Sequence, residues 1–260
     1  MSESEAPGLL AAERRNELLT MLAAYDKIDV SWASKTLGTS HETIRKDLMA
    51  LESQGLLKRV HGGALPMHTV TFEEGVDERT SNQEEKRRIA QRAIKELPTS
   101  GAIFVDSGST TRFFAELLPA NPNVIVFTNS LPVAQMVLSK PLTPLYLVGG
   151  RVRQLSHATV GPWAHHALRE IQVDVAFVGT NALSLARGLS TPDREEAEAK
   201  AEMLTHSSRS ILMVDHSKFE QDALFAYAGL DAVDLMITGT ETPDDVVARY
   251  QQLGHELVRA

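Results

Sequence analysis

The sequence predicts an α/β protein in which a small helical unit precedes a larger unit with a mainly parallel sheet. Apolar residues recur at helical spacing up to residue 57, and from residue 101 onward short β-rich runs alternate with helical segments. Between these two regions, residues 61–80 follow neither period. We therefore predict a first domain at residues 9–66, a linker at 67–80 and a second domain at 81–260.

In the small unit, helices are predicted at residues 13–24, 31–37 and 40–53. In the third helix, Ile44, Leu48 and Leu51 are spaced at i, i+4 and i+7, which predicts one buried face. Ser31 and Ser40 are predicted to cap the second and third helices, because a serine hydroxyl accepts a hydrogen bond from an N–H group of the first turn. Three helices at this spacing indicate a helix-turn-helix, although a small bundle with a charged, solvated face would show the same pattern.

Polar and basic residues cluster at the start of the third helix and in the segment after it. A helix-turn-helix places its last helix in the major groove, where Arg forms two hydrogen bonds with guanine and Lys or hydroxyl groups more often bind phosphate. Residues 56–63 alternate apolar and basic side chains before two glycines, which fits a β-wing beside the DNA backbone or an ordinary hairpin. The candidate DNA contacts are Ser40, His41, Thr43, Arg45, Lys46, Lys58, Arg59 and His61.

Composition and charge exclude several classes of protein. An apolar fraction of 43% is too high for a disordered chain, and the apolar runs are too short to span a bilayer. The N-terminus is acidic and leads no apolar segment, so we predict no secretory signal and expect a cytoplasmic protein. Without cysteine, disulfides, zinc–thiolate sites and thiol nucleophiles are excluded. The net charge of −8 repels nucleic acid, so DNA binding would depend on a local basic surface.

In the larger unit, six apolar runs predict parallel strands that are covered on both faces. The runs are residues 102–106, 124–128, 145–148, 173–178, 211–215 and 235–238. Open α/β sheets bind their ligands beyond the carboxyl ends of the strands, and several of these runs end in polar residues. We therefore expect a ligand site at that edge of the sheet.

The turn at residues 106–111 is the strongest candidate at this edge. It is rich in Gly, Ser and Thr, follows a predicted strand and opens a helical segment. Such a turn presents backbone N–H groups and hydroxyls to an anion, and the helix dipole favours negative charge there. Simple capping of the helix by a Ser or Thr side chain would explain the composition equally well.

Residues 40–48 and 51–64 resemble the DNA-binding end of the DeoR family, bacterial transcriptional regulators of sugar metabolism that are usually repressors. The C-terminal half resembles the sensor domain of that family, whose fold is similar to ribose-5-phosphate isomerase and glucosamine-6-phosphate deaminase. Two positions depart from the family: Lys46 replaces the second of two arginines, and Gly239 replaces an aspartate after the last strand. Lys46 keeps the charge but lacks the planar guanidinium that reads guanine. The resemblance implies a winged helix-turn-helix that binds a double-stranded DNA operator and a sensor that binds a phosphorylated sugar.

In the sensor, the resemblance implies that the turn at 106–111 holds the phosphate. Asp106 would repel phosphate, so we expect it to accept hydrogen bonds from sugar hydroxyls or to order the turn. Lys218 would hold the phosphate as a point charge. Glu196 and Lys200 match the sensor pattern, although an i, i+4 surface ion pair is the alternative. The candidate effector residues are Asp106, Ser107, Gly108, Ser109, Thr110, Thr111, Thr128, Asn129, Gly149, Gly150, Arg151, Asn181, Glu196, Lys200 and Lys218.

Three functions are weighed: a ligand-responsive regulator, a sugar-phosphate isomerase or deaminase, and a DNA-binding protein whose sensor binds nothing. In the enzyme, Asp193, Glu196 and Lys218 would act as acids and bases. We expect the regulator, with no catalytic residue, no cofactor and no membrane partner. We also expect a dimer or tetramer, because repeated half-sites call for a symmetric oligomer. No metal site is predicted, since the spacing typical of metal ligands is missing among His157, His165, His166, His206 and His216.

Overall fold

The computed structural model describes residues 11–25, 27–53, 56–60, 62–66, 75–76 and 79–260. The chain divides into two compact units between residues 72 and 73. Within the described residues, no helix combines the length and the apolar character needed to cross a bilayer.

Helices and a small antiparallel sheet make up the described part of the first unit. Its elements are α1 (Ala11–Tyr25), β1 (Ile28–Asp29), α2 (Val30–Thr36), α3 (His41–Ser53), β2 (Leu57–Val60) and β3 (Gly63–Pro66). The predicted helices and the predicted hairpin are confirmed. Strand β3 lies between β1 and β2, so the hairpin is attached to the strand that leads into α2. Ile44, Leu48 and Leu51 lie in the core of this unit, as their spacing predicts.

Side-chain caps fix the starts of α2 and α3. Ser40 caps α3 as predicted, because its Oγ accepts a hydrogen bond from the N–H of Thr43 at 3.1 Å. The predicted cap of α2 is wrong: Asp29, not Ser31, caps this helix. Its Oδ1 accepts hydrogen bonds from the N–H groups of Ser31 and Trp32, at 2.8 and 3.0 Å. A carboxylate satisfies two donors here and also interacts favourably with the helix dipole.

The buried carboxylate of Asp47 joins α3 to α1. Asp47 is 2% exposed, and its oxygens accept hydrogen bonds from the Nε atoms of Arg14 at 2.5 Å and Arg15 at 2.9 Å. Two guanidinium groups therefore balance one buried charge. This contact fixes one face of α3 within the unit, while its residues Arg45 and Lys46 are exposed.

The second unit is an α/β domain. Its elements are α4 (Gln83–Ala93), β4 (Gly101–Val105), α5 (Ser109–Leu117), β5 (Val124–Thr128), α6 (Leu131–Leu138), β6 (Leu145–Leu147), β7 (Arg151–Arg153), β8 (Ala158–Val160), α7 (Pro162–Arg169), β9 (Val173–Val178), β10 (Ala182–Ser184), β11 (Gly188–Thr191), α8 (Arg194–Thr205), β12 (Ser207–Met213), β13 (Phe225–Ala228), β14 (Leu235–Thr238), α9 (Asp244–Gln252) and β15 (Leu257–Arg259). Strands β7 and β8 form a hairpin, and β10, β11 and β13 form a small antiparallel sheet.

The main sheet is entirely parallel, with the strand order β15-β14-β12-β9-β4-β5-β6. Six of its strands correspond to the predicted apolar runs, and the parallel sheet is confirmed. The prediction did not include the seventh strand, β15, which adds three residues at one edge. One face of the sheet packs against α7, α8 and α9, and the other against α4, α5 and α6. Because all strands run in one direction, their carboxyl ends meet at one edge.

Candidate functional site

In the first unit, the candidate DNA contacts that the structure describes lie at Ser40, on α3 and on β2. Ser40, His41, Arg45 and Lys46 are exposed, and Thr43 is half-buried with its Oγ1 at 2.9 Å from the Oγ of Ser40. A groove of about 450 Å³ is lined by residues of α3 and the hairpin, including Arg45, Leu48, Arg59 and Val60. Arg45 and Arg59, two of the predicted DNA contacts, thus line the same groove.

An ion pair that the sequence did not reveal joins the hairpin β2–β3 to α3. Arg59 donates from Nε to Oε2 of Glu52 at 2.6 Å, and its backbone N–H donates to Oε1 of Glu52 at 2.8 Å. Both side chains are more than a third exposed, so solvent screens this pair and Arg59 can exchange partners at little cost. His61 and the side chain of Lys58, two other candidates, lie outside the described residues.

In the second unit, most candidate effector residues follow the carboxyl ends of the central strands. The turn at 106–111 follows β4, Asn129 follows β5, Gly149 and Gly150 follow β6, and Asn181 and Lys218 follow β9 and β12. Thr128 ends β5, and Arg151 begins the β7–β8 hairpin. Glu196 and Lys200 lie on α8 and reach this edge from the side of the helix layer.

A buried ion pair lies at the centre of the edge. Lys200 is 4% exposed and Asp106 is 1% exposed. Nζ of Lys200 donates a hydrogen bond to Oδ2 of Asp106, and a second one, at 3.1 Å, to the carbonyl oxygen of Gly179. The N–H of Gly179 also donates to Oδ2 of Asp106, at 3.0 Å. Burial alone lowers the pKa of Lys200, but the charges of Asp106 and Glu196 outweigh it and hold that pKa above its ordinary value. Asp106 therefore ties β4 to β9 and α8.

The surface ion pair considered for Glu196 and Lys200 is wrong, because both are buried and have other partners. Glu196 is 3% exposed, and its carboxylate accepts from Nη1 of Arg153 at 3.3 Å and from Oγ1 of Thr191 at 3.4 Å. Arg153 also binds Asp193, with Nε 3.0 Å from Oδ2. Asp193 and Glu196, the carboxylates of the enzyme alternative, thus hold the β7–β8 hairpin against the start of α8.

The turn at 106–111 has the geometry expected of an anion site. Helix α5 begins after Gly108, whose φ is +150° and which, as a glycine, has no side chain to cap the first N–H groups. The hydroxyl of Thr111 donates to the carbonyl oxygen of Gly108 at 3.0 Å. The first N–H groups of a helix have no partner within the helix and attract anions.

Asn129 carries an unsatisfied acceptor at the same edge. It is 2% exposed, and its Nδ2 donates to the carbonyl oxygen of Thr159 at 3.2 Å. Its Oδ1 is buried and has no hydrogen-bond partner among the described residues. Leaving a buried amide oxygen unpaired costs about 1–3 kcal/mol, so a ligand hydroxyl that donates to it would gain affinity.

A second polar cluster joins the end of β12 to the start of α4, and the sequence did not indicate its members on α4. One carboxylate oxygen of Glu85, one carboxylate oxygen of Asp215 and one ring nitrogen of His216 lie within 4.8 Å of one another. Burial raises the pKa of Asp215, but Lys218 and Lys86, together with hydrogen bonds, lower it below the ordinary value. The positive charges of Lys218 and Lys86 therefore favour the ionised carboxylate of Asp215 within this cluster.

This cluster also explains the departure at Gly239. A Cβ atom at position 239 would lie 2.3 Å from Cγ and 2.5 Å from Oε1 of Glu85. An aspartate therefore does not fit beside Glu85 in this arrangement. The carboxylate of Glu85 instead lies at this end of β14 and accepts hydrogen bonds from N–H and Nδ1 of His216, at 2.8 and 2.7 Å.

Comparisons with known proteins agree with both units. Residues 81–240 match the family model of the DeoR C-terminal sensor domain, and residues 14–70 match that of the DeoR-like helix-turn-helix domain. The chain is 36% identical to the HTH-type transcriptional regulator GlpR of Haloferax volcanii, over 88% of this chain and 90% of that one. It is 28% identical to the glycerol-3-phosphate regulon repressor of Escherichia coli K12, over 90% and 93% of the two chains.

Among solved structures, ribose 5-phosphate isomerase A of Methanocaldococcus jannaschii is similar over 54% of this chain and 55% of its own, with 19% identity and a TM-score of 0.39. The relatives that cover nearly the whole chain are regulators and repressors rather than enzymes. Both family models together span most of the sequence. The chain therefore belongs to the DeoR family of transcriptional regulators.

Proposed function

We propose that this regulator represses genes for the uptake or breakdown of a sugar, and that a phosphorylated sugar bound in the C-terminal unit changes its affinity for a double-stranded DNA operator. The single observation that supports effector binding best is the buried Oδ1 of Asn129, which has no hydrogen-bond partner in the described part of the chain and lies at the same sheet edge as the start of α5. An acceptor without a donor and a helix N-terminus are complementary to a hydroxyl group and a phosphate group, respectively.

The DNA-binding surface is proposed to consist of the exposed face of α3 together with the hairpin β2–β3. Arg45 is exposed and lines the groove between them, so its guanidinium is available to a base edge. We assign phosphate contacts to Lys46, His41 and the hydroxyls of Ser40 and Thr43. Contacts to the DNA backbone beside the hairpin are assigned to Lys58, Arg59 and His61. As the described part of the DNA-binding unit contains one such helix, we also propose a dimer or a tetramer that works in the cytoplasm on repeated half-sites.

Replacing Arg45 with alanine is expected to cost about 1–3 kcal/mol of operator binding and to relax the sequence preference, because a bidentate contact to guanine would be lost. Lys58→Ala, in the wing, should instead weaken binding to all sequences alike and lower the salt slope by about one. Salt titrations on operator and random DNA compare the two variants. An equal loss on both DNAs for Arg45→Ala would exclude base reading by this residue.

The proposed function is tested by release of the protein from a DNA fragment containing its own promoter region. Glycerol 3-phosphate, ribose 5-phosphate and hexose phosphates are added singly, each beside its unphosphorylated sugar and inorganic phosphate. We expect one sugar phosphate to change DNA binding while its two separated parts do not. The enzyme alternative predicts turnover of the sugar phosphate, which the same samples report by product analysis. Turnover, or no response to any compound, would contradict the proposal.

A further inference from the structure

The segment that leads from the linker into α4 is attached to the second unit at two separate points. The first is Val76, which is 5% exposed and whose N–H donates to the carbonyl oxygen of Leu155 at 2.6 Å. Leu155 lies in the turn between β7 and β8. That hairpin begins with Arg151, directly after Gly149 and Gly150 at the candidate effector edge.

The second attachment is Asn82, the residue just before α4. Its Nδ2 donates to Oδ1 of Asp215 at 3.0 Å, across 133 positions of sequence. Asp215 is 2% exposed and follows β12, three residues before Lys218. Asn82 has a φ of +58°, in the left-handed region that asparagine tolerates better than most residues. A conformation of this kind persists when neighbouring contacts hold it, and the bond to Asp215 is such a contact.

Two lysines connect this attachment to the candidate effector site. Lys86 is 4% exposed, and its Nζ donates to the carbonyl oxygen of Ser81, next to Asn82. The backbone joins Asp215 to Lys218, because the N–H of Lys218 donates to the carbonyl oxygen of Asp215 at 3.1 Å in the single turn His216–Lys218. The positive charges of Lys218 and Lys86 also lower the pKa of Asp215. A phosphate bound by Lys218 would therefore act on the turn that presents Asp215 to Asn82.

We propose that the contact between Asn82 and Asp215 couples effector binding at Lys218 to the segment that leads to the DNA-binding unit. This inference rests on the proposed function. Asn82 and Asp215 then belong to neither binding site: they determine how strongly the two sites influence each other. Coupling of this kind is a free energy between two sites, and typical values correspond to a change of about 5–150-fold in affinity.

The test uses Asn82→Gly in the full chain, because glycine keeps the left-handed backbone and removes only the amide. Operator affinity is measured by fluorescence anisotropy with and without the sugar phosphate that acts on wild type in the promoter screen, and binding of that compound is measured by calorimetry. We expect both separate affinities to stay within about threefold of wild type, while the effect of the sugar phosphate on operator binding falls towards one. Asp215→Asn, which can still accept the bond, should retain more coupling than Asn82→Gly. Asn123→Ala removes an exposed asparagine elsewhere and serves as the matched control.

The outcomes separate the two proposals. If wild type and Asn82→Gly respond equally, the coupling role is overturned and the proposed function stands. If Asn82→Gly loses binding of the sugar phosphate itself, Asn82 belongs to the binding site, and the coupling role is again overturned. If wild type responds to no sugar phosphate, both proposals fall together.

Discussion

Replacing Lys200 with methionine is expected to destabilise the C-terminal unit by about 3–5 kcal/mol, because the variant leaves the carboxylate of Asp106 buried without its cation. Asp106 is 1% exposed, and its remaining partners among the described residues are the N–H of Gly179 at Oδ2 and, at 3.5 Å, the hydroxyl of Ser107 at Oδ1. Two uncharged donors compensate only part of the cost of burying a carboxylate. The loss should appear as an earlier transition in urea unfolding of the full chain, followed by circular dichroism.

A paired substitution and a surface control make this test specific. Asp106→Leu combined with Lys200→Met should recover much of the loss, since replacing both members of a buried pair with apolar groups is often neutral. Arg194→Ala removes an exposed ion pair with Glu198 on the same helix and should change stability by less than about 1 kcal/mol. Stability of Lys200→Met close to that of wild type would show that the pair is not a buried charge pair.

Lys218→Ala is expected to give a repressor that a sugar phosphate no longer releases. Removing a charged hydrogen bond costs about 1.5–3 kcal/mol, so affinity for the sugar phosphate should fall about 10–150-fold. Operator binding without the sugar phosphate should stay close to that of wild type, because Lys218 lies in the C-terminal unit. Thr110→Val removes one hydroxyl at nearly constant volume and should show the same behaviour with a smaller loss. Calorimetry and operator titrations measure the two quantities separately.

The matched control for Lys218→Ala is Lys140→Ala. Lys140 follows α6, and its Nζ donates to the carbonyl oxygen of Glu116 near the end of α5, away from the carboxyl edge of the sheet. This control should leave both affinities unchanged. If Lys218→Ala and Thr110→Val both bind the sugar phosphate with the affinity of wild type, the phosphate site lies elsewhere in the chain.

Local sequence patterns were sufficient to predict the helices and the hairpin of the first unit and six strands of the main sheet, but not the antiparallel strands β7, β8, β10, β11 and β13. Continuous apolar runs predicted the central strands, because a strand covered on both faces has no polar face. Strand β15 was not predicted, because its three residues, Leu257–Arg259, are too few to show a recognisable period. The serine predicted to cap α2 was displaced by Asp29, a stronger acceptor two positions earlier.

The contacts within the candidate site depend on the topology of the fold, which residue spacing does not report. Glu196 and Lys200 stand at i, i+4 on α8 and fit a surface pair, yet the sheet brings Asp106 and Arg153 to them from distant positions. Glu85 meets His216 across 131 positions. The sequence therefore predicted which elements end at the edge, but the partners of each charge follow only from the strand order.

The central claim is that one sugar-phosphate site and one operator site are linked in the same chain. Linkage requires reciprocity: if the sugar phosphate changes operator affinity by some factor, the operator must change the affinity for the sugar phosphate by the same factor. The decisive measurement is calorimetry of the sugar phosphate identified in the promoter screen, with the protein free and with the protein saturated by operator DNA. The proposed function predicts two affinities whose ratio equals the change in operator affinity, about 5–150-fold. Equal affinities for the free and the operator-bound protein would contradict it.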